Sequence, residues 1–373
     1  MITVKEIYSK RELKAFVKFP FTLYKNSKYW VPPIISQELK TFNKKINPVF
    51  NDADARFFLA YKDGKIVGRI ASIINWLEVN NQSIQKMRFG WCDFIDDINV
   101  SKALLDEVNR IGKSKNLSFM EGPVGFSNLD KVGVITEGFD HIGNMITWYN
   151  HPYYAEHYKQ LGFQVEKKYL ESKFLYKDIK EESFSRIQDL IKKRYQLNTL
   201  VFNSNKDIIP HADEMFDVFS KSHESLSTFV EINQKQRDYF KNKFIPFLDP
   251  EYVKFITDKN DKLIGFGIVT ASYSKALQKM KGKLYPFGFK HLLHAKKHSK
   301  SVTFYLIGIV PEYQNKGVTA IIFNEFYKEF AKKGIVECIR GPELADNDAI
   351  HKIWKHFNSK VHKKRCTFKK DIV

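Results

Sequence analysis

One stretch of the chain has residue types and spacing suited to holding an anion. Phe304-Tyr305-Leu306-Ile307-Gly308-Ile309-Val310 is an apolar run of strand length, and Pro311-Glu312-Tyr313-Gln314-Asn315-Lys316-Gly317-Val318-Thr319-Ala320 follows it at once, ahead of a helical pattern. A strand, a tight polar turn and a helix start leave backbone N–H groups free to hold a phosphate. His223-Glu224 is a weaker candidate for proton transfer, because such a pair in a polar stretch is usually surface.

The elements that must position this turn occur twice. Phe58-Leu59-Ala60-Tyr61-Lys62-Asp63-Gly64-Lys65-Ile66-Val67-Gly68 matches Phe255-Ile256-Thr257-Asp258-Lys259-Asn260-Asp261-Lys262-Leu263-Ile264-Gly265 at an offset of 197. Tyr158-Lys159 with Val165-Glu166-Lys167-Lys168 matches Trp354-Lys355 with Val361-His362-Lys363-Lys364 at an offset of 196. Two matches at nearly one offset imply a duplicated α/β unit. Ser9-Lys10-Arg11-Glu12 reads as a capping box, so a helix is expected from about residue 10 to Phe21, before Val31-Pro32-Pro33 forces extended chain. Leu104, Leu105, Val108 and Ile111 form a helical stripe in the first half, as Ile322, Phe323, Phe326 and Phe330 do in the second. Strands follow at Leu117-Ser118-Phe119-Met120 and Ile335-Val336-Glu337-Cys338-Ile339, each leading to Gly-Pro, at Gly122-Pro123 and Gly341-Pro342. The boundary is expected near residue 178, ahead of a polar segment.

Gln314-Asn315-Lys316-Gly317-Val318-Thr319 resembles the pyrophosphate loop of the GCN5-related N-acetyltransferases (GNAT): Gln or Arg, two residues, Gly, one residue, Gly or Ala. Thr319 takes the sixth place, with Ala320 one later, and a Thr hydroxyl can also meet a phosphate. Asn347-Asp348-Ala349 is similar to that superfamily's Asn-x-x-Ala helix start, one residue shorter. Over nearly its whole length the chain also resembles a bacterial family of tandem acetyltransferase-like proteins that includes candidates for ceramide synthesis. The shared segments are Trp30-Val31-Pro32-Pro33, Gly122-Pro123-Val124-Gly125-Phe126-Ser127-Asn128, Glu137-Gly138-Phe139-Asp140, Tyr149-Asn150-His151-Pro152-Tyr153-Tyr154 and Gly282-Lys283-Leu284-Tyr285-Pro286-Phe287-Gly288. The resemblance implies an α/β (α+β) fold of two tandem GNAT-like domains with mixed central sheets flanked by helices. They would be a degenerate domain at 1–178 and one with the cofactor loop at 179–373. The implied cofactor is acetyl-coenzyme A or a longer acyl-coenzyme A, and the acceptor a small-molecule or lipid amine.

On that resemblance the turn and the positive helix end from Val318 would face the diphosphate, and Lys316 would add charge. The strand edge at Ile309 and Val310 would pair with pantetheine amides, and Asn347 would complete the cofactor set. The first half has Asp93-Phe94-Ile95-Asp96-Asp97-Ile98-Asn99 instead, with carboxylates where phosphates would sit and no glycine. A like-charge contact at about 4 Å is worth roughly 4 kcal/mol at an effective dielectric of 20, so this half is not expected to bind coenzyme A. Asp96 and Asp97 read better as helix-start residues. In the superfamily a Tyr on the last helix often serves the leaving thiolate. That position is Trp354 in the second half, whose indole donates but is no proton-transfer acid, and Tyr158 in the first. Glu343, just past Gly341-Pro342, is the preferred general base, with an exposed loop carboxylate as the alternative. Asn128, Asn150 and Tyr154 are acceptor-pocket candidates, although turn and cap roles for Asn are commoner.

Composition narrows the remaining classes. The 373 residues are 43% hydrophobic and 28% charged, enough for two ordinary domains. No apolar run reaches membrane-spanning length and the N-terminus lacks a signal-peptide layout, so a cytoplasmic protein is expected. Cys92, Cys338 and Cys366 have no metal-site spacing and read as reduced and structural. The formal charge of +19 favours an anionic partner without choosing one. From Lys275 to Lys300 there are eight lysines, three histidines and no acid, with Leu277, Met280, Leu284, Phe289, Leu292 and Leu293 interleaved. That stretch reads either as peripheral contact with an anionic inner-membrane surface or as an insertion packed on its own domain. No nucleic-acid motif is present. Two classes stay open: an acyl-coenzyme A-dependent N-acyltransferase, and a non-catalytic acyl-coenzyme A- or lipid-binding protein on the same fold.

Overall fold

Along the strand Ala53–Lys62, Phe57 and Leu59 point to one side and Phe58 and Ala60 to the other, and all four are buried. A sheet apolar on both faces must be covered on both. A computed structural model describes the chain except residues 128, 180, 227, 355, 356 and 373, and describes 181–184 by backbone alone. The N-terminal half runs β1 (Ile2–Glu6), α1 (Lys10–Leu23), α2 (Ile35–Thr41), β2 (Ala53–Lys62), β3 (Lys65–Asn75) and β4 (Lys86–Phe94). It continues with α3 (Ile98–Ser114), β5 (Phe119–Gly122), β6 (Val134–Glu137), α4 (Tyr153–Gln160) and β7 (Gln164–Leu175). The C-terminal half opens with α5 (Glu181–Tyr195), β8 (Asn198–Leu200), α6 (Asn205–Ile208), α7 (Ala212–His223) and α8 (Gln234–Phe244). Then come β9 (Val253–Thr257), β10 (Leu263–Ala271), α9 (Ser274–Met280), α10 (Gly288–His298) and β11 (Ser301–Ile309). The chain closes with α11 (Val318–Lys333), β12 (Glu337–Leu344), α12 (Asp348–Trp354) and β13 (Lys360–Asp371).

The capping box forms as spelled: Ser9 Oγ accepts from the N–H of Glu12, whose carboxylate accepts from the N–H of Ser9. The repeat also shows in space, since the N–H of Ile95 donates to the carbonyl of Val67 and that of Val310 to Ile264, the matching residue 197 places on. Helix and sheet meet closely in the second half, where a Cβ at Gly267 would press on Ile322 and Phe326 of α11. The three cysteines are buried and free.

The fold is mixed α/β, and the strands of both halves form one continuous sheet. The order is β1-β2-β3-β4-β5-β13-β7-β12-β11-β10-β9-β8, with β6 on β13. Among the described residues only β4–β5 and β11–β12 pair in parallel. The halves exchange strands: β13, from the end of the chain, lies between β5 and β7, and β7 pairs with β12. The joint encloses Arg365 and Glu171, both without exposed side-chain surface and 3.2 Å apart, with Lys363 3.6 Å from the same carboxylate. Arg365 also donates to the carbonyls of Val132, Gly133 and Trp148. Those bonds tie β13 to the loops of the other half. No helix among the described residues is long and apolar enough to cross a membrane.

Candidate functional site

The parallel pair β11–β12 holds for four residues, from Ser301 opposite Glu337 to Phe304 opposite Arg340, and then parts. Beyond that point Leu306 to Ile309 pairs only with β10, so among the described residues the other edge of β11 is unpaired. A cavity of about 250 Å³ opens there, lined by Tyr305, Leu306 and Ile307 on one strand and by Gly341, Pro342, Glu343 and Leu344 on the other. Splayed strands leave backbone amides facing a gap, which an extended amide-bearing chain can bridge.

The turn at the end of β11 supplies the charge complement. Gly317 takes φ 78° and heads α11 without a side-chain cap, and no acid stands in the first turn. Asn315 is also left-handed, at φ 58°. Among the described residues, no acceptor takes the N–H groups of Asn315, Lys316, Gly317, Val318 or Thr319, so the turn presents donors at the positive end of a sixteen-residue helix. Lys316 is exposed and lies over the rings of Tyr195 and Tyr313. Gln314 is occupied internally, donating from Nε2 to the carbonyl of Ile309 at 2.9 Å. Ile309 and Val310 are buried. Asn347 lines the cavity while its Oδ1 accepts from the N–H of Ile350 at 3.2 Å, so it serves as the cap of α12.

Glu343 lines the cavity too. Its carboxylate pairs with the guanidinium of Arg340, with one contact at 3.2 Å. Burial outweighs Arg340 and leaves the carboxyl above the ordinary 4.5. Trp354 lies among Phe174, Phe304, Phe323 and Phe357, with Arg340 over its ring. Its buried Nε1 has no hydrogen-bond partner of good geometry, although the N–H is near enough to Glu343 to hold that carboxyl down slightly. An orphaned donor in the wall of a cavity is costly unless something enters to accept from it.

His223, which the sequence suggested as surface, lines the same cavity. Its Nδ1 lies 2.9 Å from the carbonyl of Phe219 and 2.8 Å from the Ser222 hydroxyl, which itself donates to that carbonyl; both contacts are met with the proton on Nδ1, which leaves the lone pair on Nε2. Burial lowers its pKa below the ordinary 6.5 and keeps the ring neutral. Glu224 is exposed. The missed signal was the helical stripe Met215, Phe219, His223 at i, i+4, i+8, which puts His223 on the buried face of α7. Lys131 was missed as well: it lines the cavity without an ion pair among the described residues, and burial lowers its pKa.

A second cavity of about 130 Å³ shares Leu129, Asp130, Lys131, Ile146 and Tyr305 with the first and continues to Val31, Pro33, Ile34, Met145 and Leu277. The passage therefore runs between the halves, and Gln37, Glu38, Thr41 and Lys243 stand among the apolar side chains of its second part. Lys86, Arg88 and Glu121 line its polar side: Lys86 lies 2.7 Å and Arg88 2.6 Å from the carboxylate of Glu78, and Lys86 also lies 3.2 Å from that of Glu121.

Other expected residues lie elsewhere. Tyr158 is fully buried against Phe89, Phe163 and Phe368, with its hydroxyl by the Cys92 thiol and its pKa driven well above 10 by burial, and it does not reach the cavity of Glu343. Tyr154 spends its hydroxyl on Tyr24, Asp93 and the N–H of Phe94. Asn150 pins Ile135, accepting from its N–H and donating to its carbonyl. Neither lines the passage, which corrects their expected place in an acceptor pocket. Asn128 falls outside the described residues. In the first half Asp97 caps α3 by accepting from the N–H of Asn99 at 3.0 Å, the helix-start role expected of it.

No protein-family model matches the sequence. The chain is 24% identical to Protein YghO of Escherichia coli (strain K12) over 376 residues, covering 99% of this chain and 95% of that protein. It is also 24% identical to a bacterial ceramide synthase of Caulobacter vibrioides (strain NA1000 / CB15N) over 324 residues, 84% of this chain and 82% of that one. Among solved structures, a tandem GNAT protein from the clavulanic acid biosynthesis pathway superposes with a TM-score of 0.59 at 8% identity, over 100% of this chain and 99% of that one. Two copies of one α/β unit, each with a parting parallel strand pair, joined through exchanged strands, give this chain the tandem GCN5-related N-acetyltransferase fold.

Proposed function

We propose that the chain is an acyl-coenzyme A-dependent N-acyltransferase whose donor site lies in the C-terminal half and whose acceptor is a lipid-like amine entering between the halves. The observation that carries this is the parting of β11 from β12, which opens the cavity containing Glu343 and His223 along the same strand that leads into the uncapped start of α11. The residues present fit the cofactor. The free N–H groups of Asn315 to Thr319 with Lys316 would hold the diphosphate, and the free edge of β11 would take the pantetheine amides. Bound there, the thioester supplies the activated acyl group.

The chain's own groups handle the proton and exclude water. An attacking amine must be neutral, and Nε2 of His223 or the carboxylate of Glu343 would accept the proton it loses. Arg340 fixes the Glu343 carboxylate, and Phe219 fixes the tautomer of His223. The N–H of Trp354 is available as a donor to developing negative charge. Val31, Pro33, Ile34, Met145 and Leu277 in the second cavity would take a hydrocarbon tail on the acceptor, with Glu38 and Lys243 beside them for its polar groups, and the curated relative named as a ceramide synthase points the same way.

A second reading rests on Trp354, which replaces a phenol with a group that cannot release a proton: the chain would then bind an acyl-coenzyme A or a lipid without turning it over. Thiol release from palmitoyl-coenzyme A, with and without a sphingoid amine, separates the two. Amine-dependent release lost in Glu343→Gln supports the enzyme. Tight thioester binding with no release across soluble and lipid amines supports the binding protein.

A further inference from the structure

The insertion between β10 and β11 has two faces of opposite character. Inward, Leu277, Met280 and Leu292 pack against Val31 and Ile34 of the other half, and Gln278 Nε2 donates to the carbonyls of Lys28 and Trp30 at 2.9 Å each. The insertion is therefore held against the N-terminal half, not on its own domain alone, and its orientation is fixed. Outward, Tyr285, Phe287 and Leu293 are 74%, 66% and 60% exposed. Three large apolar side chains this exposed within nine residues form a patch, not the scattered apolar surface any protein carries.

The charge around the patch has one sign. Residues 275–300 hold eight lysines, three histidines and no acid. Lys296 and Lys300 donate to the backbone carbonyls of Leu248 and Lys333, and among the described residues none of the eight pairs with a carboxylate. Lys290, Leu293, His294 and Lys297 follow i, i+3, i+4, i+7 spacing and share the outer face of α10, with Lys290 also over the ring of Phe287.

We propose that the loop 281–287 and the outer face of α10 form a docking surface for an anionic phospholipid bilayer. Tyr285, Phe287 and Leu293 enter the interfacial layer and the lysines meet headgroup phosphates. A bilayer matches both halves of the surface: its headgroups neutralise the unpaired lysines and its acyl boundary takes the apolar tips. The same insertion contributes Leu277 to the wall of the second cavity, so a docked bilayer lies beside the acceptor passage, a step that rests on the acyltransferase reading.

The test is cosedimentation of the full chain with phosphatidylcholine vesicles containing about one-third phosphatidylglycerol. The expected result is binding that falls with rising salt and is about tenfold weaker for Tyr285→Ser/Phe287→Ser/Leu293→Ser, for Lys290→Glu/Lys297→Glu, and on pure phosphatidylcholine. All five substituted side chains are exposed, so an unchanged thermal unfolding curve shows that each variant is folded. Absence of binding to the anionic vesicles, binding indifferent to both variants, or preference for duplex DNA over the vesicles would each overturn the proposal. Vesicle binding needs no turnover, so its failure is distinct from failure of the acyltransferase reading.

Discussion

Both halves turn from a parallel strand pair into a helix at the same place in the repeat, but only one joint leaves room for a ligand. In the N-terminal half β4 and β5 pair over three residues and part, and the protein's own chain takes the gap. The N–H of Val124 donates to the carbonyl of Phe89 at 2.8 Å, and a Cβ on Gly90 would overlap the carbonyl of Val124. Residues 95–97 then suffice to reach α3, whose end is closed by the carboxylate of Asp97. In the C-terminal half the gap between β11 and β12 is a cavity, residues 310–317 make a longer turn, and α11 starts without a cap. Two local features thus distinguish the halves: what fills the cleft, and what satisfies the helix end.

The sharpest ways to break this comparison act on the open half. Glu343→Gln and His223→Asn are each expected to lower kcat by about 10²–10⁴ with little change in KM for the acyl donor, measured by steady-state thiol release. A loss confined to KM would move these residues from proton transfer to binding. Burial raises the Glu343 carboxyl above 4.5 and lowers the His223 imidazolium below 6.5, so the acid limb of kcat should lie above the ordinary carboxylate value if Glu343 takes the proton and below the ordinary imidazole value if His223 does. The sign for stability follows: the fold favours protonated Glu343, so its contribution is full below 4.5 and is lost as pH rises through the raised value. Glu343→Gln should flatten that part of the stability profile, and an unchanged profile would contradict the burial assigned to the carboxyl.

The strand exchange gives the next effect. Arg365→Met leaves Glu171 buried opposite Lys363 alone and should cost about 3–5 kcal/mol in urea unfolding. A cost below about 1 kcal/mol would mean that the exchanged strands do not depend on this pair. The smallest effect belongs to the closed half. Asp97→Ala removes a helix cap and should cost about 1 kcal/mol without altering coenzyme A affinity, as read by thermal unfolding and calorimetry together.

Local features were legible in the sequence because local rules set them. The capping box at Ser9, the helix cap at Asp97, and the turn at Gln314-Asn315-Lys316-Gly317 all depend on residues within a few places of one another. The strand exchange was not legible. The alternation in β13 suits any open sheet edge, and its partner is chosen by Arg365 meeting a carboxylate 194 residues away. His223 was hidden by polar neighbours although its helical spacing from Phe219 places it inward. Tyr154 and Asn150 misled in the opposite direction, since their polar atoms are used within the core, and nothing in their spacing reveals those partners.

Calorimetric titration with acetyl- and palmitoyl-coenzyme A tests the central difference between the halves most directly, using wild type, Gly317→Glu and Asp97→Ala. Gly317 sits at φ 78°, a Cβ there would overlap Ile191, and a carboxylate would face the phosphate donors. The expected result is one site per chain, abolished by Gly317→Glu and untouched by Asp97→Ala, with palmitoyl-coenzyme A bound more tightly. Two sites, or one site indifferent to Gly317→Glu, would contradict the assignment of the cofactor to the C-terminal half.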